Sequence, residues 1–268
     1  MNDANANNPD GNVIFSGTKE VAENLKFDQS RLQEWLGDSL PSAGKIIDVA
    51  QFKGGQSNPT YKIITEQKEL VLRRKPPGIL LPSAHAVDRE YKVMTALKDT
   101  AVPVPQTYGL CEDEDVIGTS FFVMDFLDGD IYWDLLLEDK SLEERKAIYK
   151  SKNQVIAELH KVDYTAVGLG DYGKPGNYIA RQVSRWTKQY LASETETILA
   201  MNNLIDWLPA NIPDEDETSI VHGDYRLDNM VFGKDNRVMG VLDWELSTLG
   251  HPIADFNYHC MSWRNIPQ

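Results

Sequence analysis

The stretch Ile220–Leu246 reads I-V-H-G-D-Y-R-L-D-N-M-V-F-G-K-D-N-R-V-M-G-V-L-D-W-E-L. Two short apolar runs, Met230–Phe232 and Val238–Leu242, flank a polar turn at Gly233–Asn236 and read as a hairpin. His222-Gly223-Asp224 precedes the first run, Asn229 touches its start, and Asp243 closes the second. Transfer of a phosphoryl group from a nucleotide asks few groups of a protein. It needs a carboxylate to accept a hydroxyl proton, and an amide and a second carboxylate to hold magnesium. Asp224, Asn229 and Asp243 supply those types in that order. The plain alternative is an acidic hairpin with a turn asparagine.

The spacing Asp224-x-x-x-x-Asn229, followed by an aspartate one hairpin later, is that of the protein-kinase catalytic loop and its metal aspartate. The other parts of such a site are therefore sought N-terminal to it. Lys45–Phe52 alternates like a strand, with Ile47, Val49 and Phe52 on one side. Lys53-Gly54-Gly55-Gln56-Ser57-Asn58-Pro59 follows, then a second strand, Thr60–Thr65. Glycines let backbone N–H groups approach phosphate oxygens closely. Gly-Gly is also a common hairpin turn, and the loop matches neither common phosphate-loop pattern. Glu69–Arg74 is a third strand carrying basic residues, one of which could pair nucleotide phosphates. Alternation turns Arg73 to one face and Arg74 outward on the other. Ala86–Lys98 is helical in period, with Val87, Tyr91, Met94 and Leu97 on one face and Glu90 placed to reach back to that cation.

Val102-Pro103-Val104-Pro105 is an extended connector. Gln106–Cys111 and Thr119–Phe126 read as two further strands around the acidic turn Glu112–Asp115, and Leu127-Asp128-Gly129 ends this half. Phe27–Leu36 is a short helix capped by Asp28 and stopped by Gly37. From Ile131 onward the signal is helical. Ser141-x-x-Glu144 opens the helix Ser141–Val162 as a capping box. Tyr178–Leu208 reads as two amphipathic helices broken near Ser193, with Trp186, Tyr190, Leu199 and Trp207 in a core. The expected organisation is a polar tail over 1–26, a strand-rich lobe over 27–127 and a helical lobe over 128–268.

The whole-chain numbers exclude more than they assert. At 268 residues, with 41% hydrophobic and 25% charged residues, the chain can bury real cores. A net charge of −14 argues against a nucleic-acid partner. No apolar run reaches the ~18 residues of a membrane span, and the first residues form no signal peptide. Two distant cysteines, Cys111 and Cys260, fit free thiols in a reducing cytoplasm. His222, Asp224, His251, Asp255 and His259 raise a metal-hydrolase alternative. No H-E-x-x-H or His-Asp pair supports it.

Taken as an ordered set, F-K-G-G-Q-S-N-P-T-Y, L-V-L-R-R-K-P-P-G, R-E-Y, V-P-V-P, F-F-V-M-D-F-L-D-G, H-G-D-Y-R-L-D-N and V-L-D-W-E resemble the aminoglycoside phosphotransferase and choline kinase group of small-molecule kinases. The nearest branch includes the kinase domain joined to acyl-CoA dehydrogenases. The resemblance implies an α+β, bilobal protein-kinase-like fold and phosphorylation of a small-molecule hydroxyl by ATP with Mg2+, GTP remaining an alternative donor. It implies Asp224 as the catalytic base and Asn229 and Asp243 as the metal ligands. Arg73 with Glu90 would pair the phosphates, Gly54, Gly55, Gln56 and Ser57 would cover them, and the backbones of Asp125 and Leu127 would meet adenine. Arg74 and Lys75 remain rivals of Arg73. The group usually continues beyond the point corresponding to Gln268, so a nucleotide-binding form without turnover is the alternative to an enzyme. A hydroxyacyl-CoA is the alternative acceptor.

Overall fold

A computed structural model of the protein describes residues 17–54, 58–78, 85–214 and 217–261. The chain packs as two units that do not follow chain order. Residues 1–155 and 226–245 form the first, and 156–225 and 246–268 the second.

The first unit is built on an antiparallel sheet of six strands, β1 (Thr18–Lys19), β2 (Ile46–Phe52), β3 (Thr60–Thr65), β4 (Glu69–Arg74), β5 (Thr107–Cys111) and β6 (Phe121–Asp125), in the order β1-β2-β3-β4-β6-β5. Five strands were expected; Thr18–Lys19, from the expected tail, pairs with Gln51 and Phe52 as a short sixth. The alternation of β4 organises everything around it. Leu70 and Leu72 face one way, into a core with Leu32, Leu36, Tyr61, Ile63, Phe121 and Val123. Helix α1 (Gln29–Ser39) covers that face. Asp28 caps it by accepting the N–H groups of Ser30 and Arg31. It runs past Gly37, contrary to expectation, and stops where Pro41 forces Leu40 out of helical geometry (φ −144°). On the opposite face lies helix α2 (Val87–Leu97), burying Val87, Glu90, Val93, Met94 and Leu97.

Arg74 turns to the α1 face. That face is not solvent, as expected, but core: Arg74 is 2% exposed. Its guanidinium lies over the rings of Phe27 and Tyr61 and donates to the carbonyls of Leu25 and Ile117. Burial works against its charge. Ile47 departs from expectation too. A bulge between Ile46 and Asp48 breaks the alternation, and Ile47 is 65% exposed.

The acidic turn after β5 closes into a short helix, α3 (Glu114–Ile117), capped by Asp113 and ended by left-handed Gly118. Helix α4 (Leu142–Lys161) follows. The capping box at its start is reciprocal: Ser141 N–H donates to Glu144 Oε2 (2.8 Å) and Glu144 N–H to Ser141 Oγ (3.3 Å). The hairpin strands β8 (Met230–Phe232) and β9 (Val238–Val241) belong to the first unit. Strand β8 is bridged to Asp130 through Phe232. Gly129 permits this bridge, because a side chain there would meet the Phe232 carbonyl at 2.5 Å.

In the second unit, β7 (Ser219–Val221) pairs with β10 (Thr248–Gly250). Around them are α5 (Tyr178–Ser193), α6 (Leu199–Trp207) and α7 (Pro252–Met261). The break near Ser193 is where the sequence placed it, but the expected core of these helices is not. Trp186, Leu199 and Trp207 are 64%, 74% and 57% exposed, and neither α5 nor α6 buries a residue. Amphipathic period shows which residues share a face, not whether anything covers that face. Cys111 and Cys260 are free thiols, and among the described residues no helix is long and apolar enough to cross a membrane.

Arg74→Ala removes a buried side chain and two hydrogen bonds that tie separate segments to the sheet. It is expected to lower the unfolding free energy by about 2–4 kcal/mol, read as a drop in the denaturant midpoint at unchanged m-value. A midpoint equal to wild type would show that the cation contributes nothing to this core.

Candidate functional site

Because β4 alternates, Arg73 turns away from the α1 core toward α2. There its Nε donates to Glu90 Oε1 at 2.8 Å, and its Nη2 to Asp243 Oδ1 at 2.5 Å. Glu90 is buried, while Asp243 keeps 28% of its side chain exposed. Burial pushes the Glu90 carboxyl up to about 7, with Arg73 opposing the rise and Asp243 and Glu245 adding to it. For Arg73 burial opposes the charge, yet Glu90 and Asp243 outweigh it and raise its pKa further, so it stays a cation. Lys75, the other rival cation, lies instead 3.7 Å from Asp88 at the surface.

Asp243 has left-handed backbone geometry (φ 62°), a strained setting for a side chain other than glycine. Its placement follows from the hairpin: Leu242 N–H donates to the carbonyl of Asn229, and Trp244, fully buried, donates its indole N–H to the Val241 carbonyl. Asn229 is buried at the end of a 3-10 turn, Leu227–Asn229.

Three residues of this cluster escaped the reading of the sequence. Asn58, with no exposed surface, splits its amide between Glu90 Oε1 and Glu245 Oε2, each at 3.2 Å. His85 Nδ1 lies 3.1 Å from the Asn58 amide oxygen. Oxygens of Glu90, Asp243 and Glu245 lie within 4.8 Å of one another, the grouping among the described residues that could hold a cation. Hard oxygen donors suit magnesium, so the set fits the ion that the sequence resemblance implies. A carboxylate two residues after Asp243 was a usable signal for Glu245. Asn58 offered only its place beside a proline and a strand. His222, His251 and His259 are not part of this grouping.

Of the expected nucleotide contacts, Gly54 is half-buried just after β2, and Gly55, Gln56 and Ser57 lie outside the described residues. At the end of β6 the Asp125 N–H is already given to the Gln106 carbonyl. The Asp125 carboxylate accepts from Tyr108 at 2.6 Å. Phe52 and Phe126 stack at 6.3 Å, with Lys62 Nζ 3.9 Å over Phe126. Leu127 reaches Gly240, where an added Cβ would meet its Cδ1 at 2.3 Å.

Asp224 lies in the second unit. Its N–H donates to His222 Nδ1 (3.2 Å), and Tyr258 donates its hydroxyl to Asp224 Oδ1 (2.7 Å). Asp255, 1% exposed, accepts the N–H of His222 (2.6 Å) and of Gly223 (2.8 Å), and its Oδ2 lies 3.4 Å from His160 Nε2. Gly223 has φ 84°, and a Cβ there would strike the Leu246 carbonyl at 2.7 Å, so the loop needs glycine.

Residues 48–268 match the model of a phosphotransferase enzyme family. A Ralstonia eutropha protein provisionally assigned as an aminoglycoside phosphotransferase is 55% identical in its crystal structure. It superposes with a TM-score of 0.83, over 91% of this chain and 72% of that one. The aminoglycoside phosphotransferase APH(4)-Ia, solved with ADP and hygromycin B, shares the fold at 14% identity (TM-score 0.63, 88% of this chain, 77% of that one). Among curated proteins, acyl-CoA dehydrogenase family member 10 of Mus musculus is 47% identical over 249 residues, 92% of this chain and 23% of its own length. Family member 11 of Homo sapiens is 43% identical over 264 residues, 94% of this chain and 34% of its own. The chain thus spans about a quarter to a third of these relatives.

Asn58→Asp removes both amide donors and adds a carboxylate against Glu90 and Glu245. It is expected to cost about 2–4 kcal/mol of stability. Adding Glu245→Gln should recover part of that loss, since the new amide can donate to the new carboxylate. Equal melting temperatures for the single and double variants would show that Asn58 and Glu245 do not interact.

Proposed function

The chain belongs to the phosphotransferase enzyme family, and from that membership we propose that it transfers the γ-phosphoryl group of ATP to a hydroxyl of a small molecule. The observation that carries this reading is the buried Arg73, held by Glu90 on one side and Asp243 on the other. Phosphoryl transfer is mostly positioning and charge stabilisation, and a strand cation braced by a helix glutamate is the part that grips nucleotide phosphates. Glu90 aims the guanidinium; Arg73 would exchange its Asp243 contact for phosphate oxygens. An arginine offers these oxygens a planar fork where a lysine offers a point charge.

Asp243 and Asn229, with Glu245 beside them, would hold magnesium. When bound, such an ion would supply positive charge against the phosphates. Asp224 accepts the acceptor's proton. The acceptor O–H bond breaks as its oxygen forms a bond to the γ-phosphorus; the γ-phosphorus–oxygen bond to the β-phosphate breaks, and that electron pair leaves with ADP. The Asp125 carbonyl and Leu127 N–H are the proposed adenine contacts, and residues 54–57 the phosphate cover. Relatives named for acyl-CoA dehydrogenases make hydroxyacyl-CoAs the first acceptors to test, ahead of aminoglycosides and amino alcohols.

Asp224→Asn keeps the shape and removes the anion. It should leave Mg-ATP affinity within about threefold and cut turnover by ~10²–10⁴. Asp243→Asn should weaken Mg-ATP binding as well as turnover, because a charged ligand is lost. Normal turnover by folded Asp224→Asn protein would sink the mechanism.

Calorimetry separates the two arginines. Arg73→Ala should lose about 10- to 100-fold in Mg-ATP affinity, the worth of a charge-assisted phosphate contact. Arg74→Ala, for the protein that remains folded, should stay within about threefold. The reverse order would mean that the phosphate cation has been misassigned.

A further inference from the structure

The second unit holds the side chain of Asp224 as well as the loop that carries it, and both grips come from one helix. Asp255 and Tyr258 are three residues apart on α7, which places them on the same face. Asp255 takes the N–H groups of His222 and Gly223, fixing the backbone that leads into Asp224. Tyr258 gives its hydroxyl to Asp224 Oδ1 at 2.7 Å, a length at which an O–H donor meets a carboxylate squarely. The Asp224 N–H is held in turn by His222 Nδ1. A carboxylate on a glycine-containing loop would otherwise sample several rotamers, and only some aim a lone pair at an acceptor hydroxyl.

We propose that Tyr258 is a positioning residue for phosphoryl transfer, setting the orientation in which the Asp224 carboxylate receives the acceptor's proton. The inference rests on the reading of Asp224 as that proton acceptor. Two effects oppose each other in it. A hydrogen bond to the carboxylate makes it a weaker base, while a fixed orientation makes each encounter productive. Misplacement of a reacting group by about 1 Å costs on the order of 10²-fold, so orientation outweighs the small loss in basicity.

The test uses the whole chain with Mg-ATP and with water standing in for the acceptor: water gives a proton to Asp224, its oxygen attacks the γ-phosphorus, and ADP and inorganic phosphate leave. Tyr258→Phe keeps the ring and its packing. It is expected to lower kcat for phosphate release by about 10- to 100-fold, with KM for Mg-ATP within about threefold. In an Asp224→Asn background, Tyr258→Phe is expected to produce no further fall, because the group it orients no longer accepts a proton. A purely structural tyrosine behaves otherwise. It would lower the melting temperature, leave kcat per folded molecule unchanged and act by the same factor in both backgrounds; any of these kinetic results overturns the proposal. Should Tyr258→Phe prove unstable, kcat per folded molecule is read well below its melting midpoint, and a value equal to that of the unaltered chain there overturns the inference. The two readings fail separately. Full turnover by Asp224→Asn, or no phosphate release by the unaltered chain, removes the base assignment and this inference with it. Loss of turnover in Asp224→Asn beside a wild-type Tyr258→Phe removes only the role of Tyr258.

Discussion

A cation shut inside a small sheet must be answered by anions, and Arg73 sets the terms on which the first unit is built. Removing Arg73 and Glu90 from water costs several kcal/mol for each ion, recovered only by close, well-directed partners. The partners come from three places: Glu90 from α2, Thr60 from the neighbouring strand at 3.5 Å, and Asp243 from the far end of the hairpin. Asn58 adds an uncharged donor shared by two carboxylates, the buried Glu90 and the half-buried Glu245. Carboxylates outnumber the cation here. With its surplus of carboxylates, the cluster favours a further positive charge brought against it.

The two arginines of β4 show how one alternation yields two chemistries. Arg73 is surrounded by carboxylates; Arg74, one residue on, is surrounded by rings and backbone carbonyls. The first environment holds its charge between two carboxylates. The second spends the same side chain on fastening Leu25 and Ile117 to the sheet.

Much of this was legible in the sequence, for reasons of short range. Period two in Glu69–Arg74 separates the arginines, period 3.6 puts Glu90 on the buried face of its helix, and Ser141-x-x-Glu144 marks a helix start by local hydrogen bonding. What escaped depends on contacts far apart in the chain. Asn58 reaches Glu245 across 187 positions, and Tyr258 reaches Asp224 across 34. No local pattern announces such partners. Coverage is equally non-local: Trp186 and Trp207 have the pattern of core residues and stand in solvent. Gly37 looked like a stop and is not; the helix runs on to Ser39, and Pro41, four residues after Gly37, ends it by steric exclusion.

The return of residues 226–245 to the first unit has a consequence for how the protein comes into being. A ribosome delivers Arg73 and Glu90 long before Asp243 and Glu245, with the whole of the second unit's first segment in between. During that interval the six-stranded sheet can pair its backbone, but its interior charge lacks one of its two counter-ions. The sheet therefore matures in two stages. The second stage waits for a hairpin made near the end of synthesis, and a chain arrested before that point would hold a well-patterned sheet around an unfinished, electrostatically unbalanced centre.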